Sequence, residues 1–291
     1  MKKLLFGLIL TLVAGGLMSW QWEKIQLNTI HKADVISCMD NETLQAYQIE
    51  ASTPKFAALH IAPIKVNPAD LLGKMISYDA ADGKQANAYF IPAKKKTKKW
   101  LIVIQEWWGL NDHIKLEADK YFSTLGDVNV IAVDMYDGKV AATPDSAMKL
   151  MRGADMKRMT AIIQATINHA GADASIYSVG WCFGGMWSLQ TAILAGPQAK
   201  GSVMYYGRPE RNMEKLKTIQ CDIIGFFGNQ DQAPSPTMVN DFENNMKLAG
   251  KNLSVNRYEA NHGFANPSNP SFNPTATADA FAKAIAFLKA H

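Results

Sequence analysis

The feature that most restricts this chain is a series of continuous apolar runs separated by helix-like stretches. Residues 100–105 (WLIVIQ) and 128–133 (VNVIAV) are apolar almost throughout rather than alternating. That is the pattern of strands covered on both faces. Residues 175–179, 202–206, 222–227 and 253–258 continue the set. Helix-like stretches separate them, near residues 112–124, 145–169, 185–195, 236–248 and 276–289. Strands alternating with helices predict an α/β fold, a mostly parallel central sheet with helices on both faces. Upstream, residues 74–78 and 84–91 flank Asp82-Gly83, a hairpin signal that adds an antiparallel N-terminal edge. Sheets of this kind carry function at the carboxyl ends of their strands. The loops to inspect therefore begin near Glu106, Asp134, Trp181, Gly207, Gly228 and Asn261.

The regular domain spans residues 74–291. Before it, residues 1–20 read as a signal peptide or signal anchor: Lys2 and Lys3 form a positive end, residues 4–13 are almost wholly apolar, and Ala14, Gly15 and Gly16 are small. Either reading puts the globular part outside the cytoplasm, periplasmic or secreted, and touching a membrane only through an uncleaved N-terminal segment. Residues 21–73 read as an extension lying across the core, with a short helix near residues 41–49. Export would permit disulfides, and the three cysteines, Cys38, Cys182 and Cys221, leave at least one thiol over. Whether Cys38 and Cys221 pair is open. The net charge of +4 is concentrated in Lys94, Lys95, Lys96, Lys98 and Lys99, a run between two strands that reads as a solvated loop. The chain carries no nucleic-acid motif, zinc spacing, P-loop or dinucleotide fingerprint, so no metal or other cofactor is expected.

The strongest chemical signal is Gly180-Trp181-Cys182-Phe183-Gly184-Gly185, which follows a strand and opens a helix. This is a nucleophile elbow with Cys in place of Ser. Its sharp turn should expose the thiol, and the helix N-terminus beside it favours a thiolate. A glycine-rich turn around a buried Cys is the plainer reading. Asp231 follows the strand at 222–227, and His262 follows the last strand. The order nucleophile, acid, histidine is that of α/β-hydrolases. His262 would move protons and Asp231 would orient it. Individually, Asp231 also reads as a helix cap or loop carboxylate and His262 as a packed loop histidine. His113 reads as a surface histidine at a helix start.

Taken together, these segments resemble the dienelactone hydrolase (carboxymethylenebutenolidase) family over residues 74–288. The markers are Gln105-Glu106 followed by Trp107-Trp108-Gly109-Leu110-Asn111, then Asp134-Met135-Tyr136, the Cys182 elbow, Tyr205-Tyr206-Gly207, Gln230-Asp231 and His262. The resemblance implies a small-molecule ester or lactone substrate and a Cys182–Asp231–His262 triad. It also implies a role for Glu106 in activating the thiol, and an oxyanion hole from the backbone N–H groups of Phe183 and Trp107. Against it stands the reading of Glu106 as a helix cap. Two departures bear on substrate. Asn266 stands where the family has an arginine after the histidine, and the helical region around residues 144–151 lacks the family's other arginine. Trp107, Trp108, Trp181, Tyr136 and Tyr206 are candidates for an aromatic pocket wall, or are simply core. Arg208 is the remaining candidate anion clamp, with Arg152 behind it. The competing class is an inactive hydrolase-fold binding protein. A thiol-redox protein is a third, without a CxxC motif to support it.

Overall fold

In the computed structural model, residues 70–291 are described continuously, with residues 45, 46, 48, 49 and 53 before them. The expected signal segment, Cys38 and most of the expected extension lie outside the described residues. Residues 45, 46, 48 and 49 are helical, within the short helix anticipated there. From this segment the Gln48 amide donates to the Met151 carbonyl at 3.2 Å.

Eight strands form one sheet. In chain order the elements are β1 (Lys74–Asp79), β2 (Gln85–Ile91), β3 (Lys99–Ile104), α1 (Asp112–Leu125), β4 (Asn129–Val133), α2 (Pro144–Arg152), α3 (Met156–Ala170), β5 (Ser175–Trp181), α4 (Phe183–Ala195), β6 (Ala199–Tyr205), α5 (Met213–Thr218), β7 (Asp222–Gly228), α6 (Pro236–Leu248), β8 (Leu253–Tyr258) and α7 (Pro274–Ala290). The spatial order is β1-β2-β4-β3-β5-β6-β7-β8. The β1–β2 and β2–β4 pairs are antiparallel, and every later pair is parallel. The apolar runs occupy the middle, as their composition requires. Leu101 to Ile104 in β3 and Val130 to Val133 in β4 are fully buried. Each such aliphatic side chain contributes about 1.5–3 kcal/mol by leaving water. The lysine-rich run sits between β2 and β3 with its lysines exposed.

Two local expectations are corrected. The single helix anticipated over 145–169 is two, α2 and α3, broken where Gly153 ends the first and Asp155 accepts the Lys157 amide at 2.9 Å to start the second. An N-cap aspartate inside an apparently continuous pattern gives the chain a second place to begin a helix. The short α5, not anticipated, starts where the Asn212 side chain accepts from the Glu214 and Lys215 amides.

One polar tie braces the front of the sheet. Arg158 on α3 reaches both carboxylate oxygens of Asp82 in the β1–β2 turn, each at 3.1 Å. Its Nε reaches both oxygens of Asp137, in the loop after β4, at 3.1 and 3.2 Å. Paired forks of this kind fix geometry as well as charge.

Candidate active site

Cys182 lies between β5 and α4 in left-handed backbone geometry, φ 56° and ψ −115°. A side chain with Cβ is strained there by about 1–3 kcal/mol, a cost tolerated mainly where position matters. Glycines make the turn possible. A Cβ on Gly180 would lie 2.1 Å from the Gly184 carbonyl oxygen, and one on Gly184 would lie 2.2 Å from that of Ile104. The elbow is thus pressed against the end of β3, from which Glu106 and Trp107 continue. The Cys182 N–H donates to Tyr205 O at 3.0 Å, tying the elbow to β6 as well. The thiol is not exposed as the sequence suggested: Cys182 is 1% accessible. Neighbouring loops close over the elbow, so its sharpness presents the sulfur to a buried site rather than to open solvent. Neither Cys182 nor Cys221 is in a disulfide, and Cys221 is half-buried, its thiol pushed up to about 12 mainly by burial.

Asp231 and His262 meet as expected from strand ends β7 and β8. His262 Nδ1 lies 2.8 Å from Asp231 Oδ2, and Asp231 Oδ1 accepts the Ala233 N–H at 2.8 Å. Both side chains are buried. Burial pulls the His262 pKa down, but the Asp231 charge and then that of Cys182, with Asp231 also hydrogen-bonded to the ring, more than reverse it. The histidine therefore favours its protonated form, as a proton acceptor beside a thiol should.

Glu106 is also buried, and caps no helix; Asn111 is the cap of α1. Burial pushes its pKa up to about 7 against the opposing pull of His262, Asn266 and Tyr206, while Glu117 on α1 raises it further. Asn266 Nδ2 donates to Glu106 Oε2 at 2.6 Å. The amide's orientation is set at its other end, where Asn266 Oδ1 accepts the Ser268 N–H at 2.9 Å. Sequence reasoning noticed Asn266 only as a missing arginine; its bond to Glu106 joins residues 160 positions apart.

The aromatic candidates divide. Tyr206, at φ 37°, stands edge-on to the His262 ring at 5.0 Å. Its buried phenol feels both Glu106 and Cys182. Tyr136 packs on Phe183, ring centres 5.6 Å apart, within the field of Cys182. Trp107 and Trp108 form a fully buried edge-to-face pair. Trp181 stacks on Tyr205 in the interior. Arg208 is half-buried and lines a recess of about 100 Å³ with Glu210, Met238, Asp241 and Phe242, none of them a triad residue. Arg152 is exposed at the end of α2. His113 is not a surface histidine: it is partly buried, and desolvation, then Lys120, pushes its pKa down to about 4.

A nucleophile elbow, an acid after β7 and a histidine after β8, on a mostly parallel eight-stranded sheet, define an α/β-hydrolase. Within that class the chain belongs to the dienelactone hydrolase family, whose model matches residues 86–291. It is accordingly a hydrolase of that type. Similar proteins include the carboxymethylenebutenolidase of a Pseudomonas species, 26% identical over 238 residues, covering 75% of this chain and 96% of that protein. Protein usf of Aquifex pyrophilus is 28% identical over 235 residues, covering 75% and 98%. Among solved structures, a candidate dienelactone hydrolase of Klebsiella pneumoniae superposes with a TM-score of 0.64 at 19% identity, covering 75% of this chain and all of that one. A dienelactone hydrolase-like promiscuous phosphotriesterase from metagenomic libraries gives 0.63 at 21%, covering 75% and 98%.

Proposed function

We propose that this enzyme cleaves esters or lactones through a Cys182 acyl-enzyme. The observation that carries the reading is the Asp231–His262 pair at 2.8 Å, with the elbow thiol electrostatically coupled to the same imidazole. The Cys182 thiol gives its proton to His262, and sulfur attacks the acyl carbon. The carbonyl π pair moves onto oxygen, where the Phe183 and Trp107 N–H groups receive it. Such donors stabilise charge only as it develops. The C–O bond breaks, His262 returns its proton to the leaving oxygen, and a thioester remains. Water, deprotonated by His262, then releases the acid and restores the thiol. Glu106 assists by taking up or holding a proton beside the thiol, a role that a carboxyl with a pKa of about 7 suits.

The reading extends to substrate and place. Neutral esters and lactones are favoured over carboxylate-bearing ones. The charge-assisted contact that an arginine at position 266 would supply is replaced by an amide already committed to Glu106. Each such bond is worth about 1.5–3 kcal/mol, or roughly 10–150-fold in affinity. The Lys2-Lys3 end and the apolar stretch after it support action outside the cytoplasm; cell fractionation that recovers the full-length chain in the cytoplasm overturns that part.

The test of the chemistry is Cys182→Ala against neutral aryl esters. Turnover should vanish with the melting temperature little changed, and mass spectrometry of the native protein should detect an acyl group on Cys182. Near-normal turnover in Cys182→Ala rules the mechanism out. An inactive binding protein would show neither turnover nor acylation.

A further inference from the structure

Tyr136 presents a feature that the proton transfers do not use. It is 6% accessible, and among the described residues its hydroxyl has no protein hydrogen-bond partner. Buried hydroxyls are ordinarily satisfied, and an exception calls for a reason. Among the described residues the Tyr206 hydroxyl is likewise without a partner within hydrogen-bond distance, but the charge it faces first is Glu106, with Cys182 second. The Tyr136 hydroxyl makes no bond to the thiol either, although it lies within the field of Cys182. Its ring packs on Phe183, the residue whose N–H is the first oxyanion donor.

The loop carrying Tyr136 is held on every side. Asp134 Oδ1 accepts the Tyr136 N–H at 3.1 Å, and its other oxygen accepts the Gly138 N–H. Gln105 Oε1 accepts the Met135 N–H at 3.2 Å. Gln105 directly precedes Glu106 and Trp107, so the loop is pinned to the segment that carries the second oxyanion donor. Asp137, at φ 52°, is gripped by Arg158. A phenol left without a protein partner is thus held against Phe183, next to the nucleophile in the chain, by a loop that its backbone hydrogen bonds restrain. Donors fixed before the reaction need no reorganisation as charge develops.

We propose that the Tyr136 hydroxyl is a third donor to the oxyanion, completing a hole otherwise formed by the Phe183 and Trp107 N–H groups. This rests on the acyl-enzyme reading above. When Cys182 Sγ bonds to the acyl carbon, the carbonyl electron pair becomes the oxyanion lone pair, and the phenol O–H donates to it. The phenol keeps its proton throughout, and the bond slackens when the carbonyl re-forms and the leaving oxygen departs. Burial, reinforced by Cys182, holds the phenol pKa far above its ordinary value, which suits a donor and disfavours a proton-transferring acid.

The experiment compares full-length wild type, Tyr136→Phe and Cys182→Ala. Acylation is followed with p-nitrophenyl acetate as the pre-steady-state burst, and thiol reactivity with iodoacetamide. Alkylation by iodoacetamide displaces iodide and develops no carbonyl oxyanion, so it reads the thiol alone. In Tyr136→Phe the acylation rate should fall about 10²-fold, the usual effect of removing one oxyanion donor, while alkylation is unchanged. The melting temperature should hold or rise, because the lost hydroxyl had no protein partner. Acylation unchanged in Tyr136→Phe overturns the proposal. So does an equal fall in acylation and alkylation, which would mean that the phenol tunes the thiol. A lowered melting temperature would mean that the hydroxyl serves the fold, and also counts against it. Turnover surviving in Cys182→Ala would instead overturn the acyl-enzyme reading, whatever Tyr136→Phe does.

Discussion

Replacing Glu106 with Gln should flatten part of the protein's pH–stability profile. The carboxyl is faced by His262, Asn266, Tyr206 and Glu117, and burial dominates, raising its pKa from 4.5 to about 7. A group whose folded pKa is raised stabilises the native state fully below its unfolded pKa. That stability is lost as pH rises through the folded value. At about 1.4 kcal/mol for each pKa unit, the rise is worth roughly 3 kcal/mol. The loss should begin near pH 4.5, where the unfolded carboxyl ionises, and be complete above pH 7. Gln keeps the shape and can still accept from Asn266, but it does not titrate. Reversible urea unfolding at a series of pH values checks this. Between about pH 5 and 9, wild type should lose about 2–3 kcal/mol more stability than Glu106→Gln. His262 titrates in both proteins and largely cancels in the comparison. Parallel profiles would refute the argument and mean that Glu106 is already ionised at pH 5.

His262→Ala should abolish turnover and Asp231→Asn should reduce it less, because the first moves protons and the second only orients and stabilises the imidazole; steady-state assays with a neutral aryl ester rank them. Gly184→Ala puts a Cβ 2.2 Å from the Ile104 carbonyl oxygen and 2.5 Å from that of Gln105. Backbone cannot yield as a side-chain tip can, so urea midpoints should show a loss of about 3 kcal/mol together with lost turnover. Asn266→Arg should lower the Glu106 pKa by about 1–3 units, moving the acid limb of the kcat/KM profile to lower pH. In the same variant, kcat/KM for a carboxylate-bearing ester should rise relative to its neutral analogue.

The strands and most helices were legible because the central apolar runs are buried on both faces and most helices have their own start signal. Thr143, Asp155, Asn212 and Ser235 all accept an amide in the first turn of the helix that follows. Asp155 was misread because the helical pattern runs on through it, and a cap inside such a pattern shows itself only in three dimensions. That Asp231 and His262 would meet was legible because each follows a strand of the parallel sheet in a fixed order. What the order could not show was depth. That Cys182 is buried depends on loops from several strand ends converging over it, and no local pattern encodes that. The same holds for His113: its position at a helix start suggests solvent, and its burial depends on what packs against α1.

Asn266 shows how one substitution can alter chemistry and specificity together. A cation beside a buried carboxylate holds it ionised, and also attracts an anionic substrate. An amide does neither. It donates one neutral hydrogen bond, here at 2.6 Å, and leaves desolvation as the dominant influence on Glu106. A carboxyl with a pKa of about 7 can pass a proton in either direction near neutrality, where an ordinary glutamate could only accept one weakly. The neighbouring His262 pKa is raised as well, which for an imidazole favours the charged form despite burial. Introducing a substrate carboxylate here would add a second negative charge beside Glu106 without a cation to offset it. The proposed preference for neutral acyl groups and the near-neutral glutamate would therefore share one cause, and Asn266→Arg should change both at once.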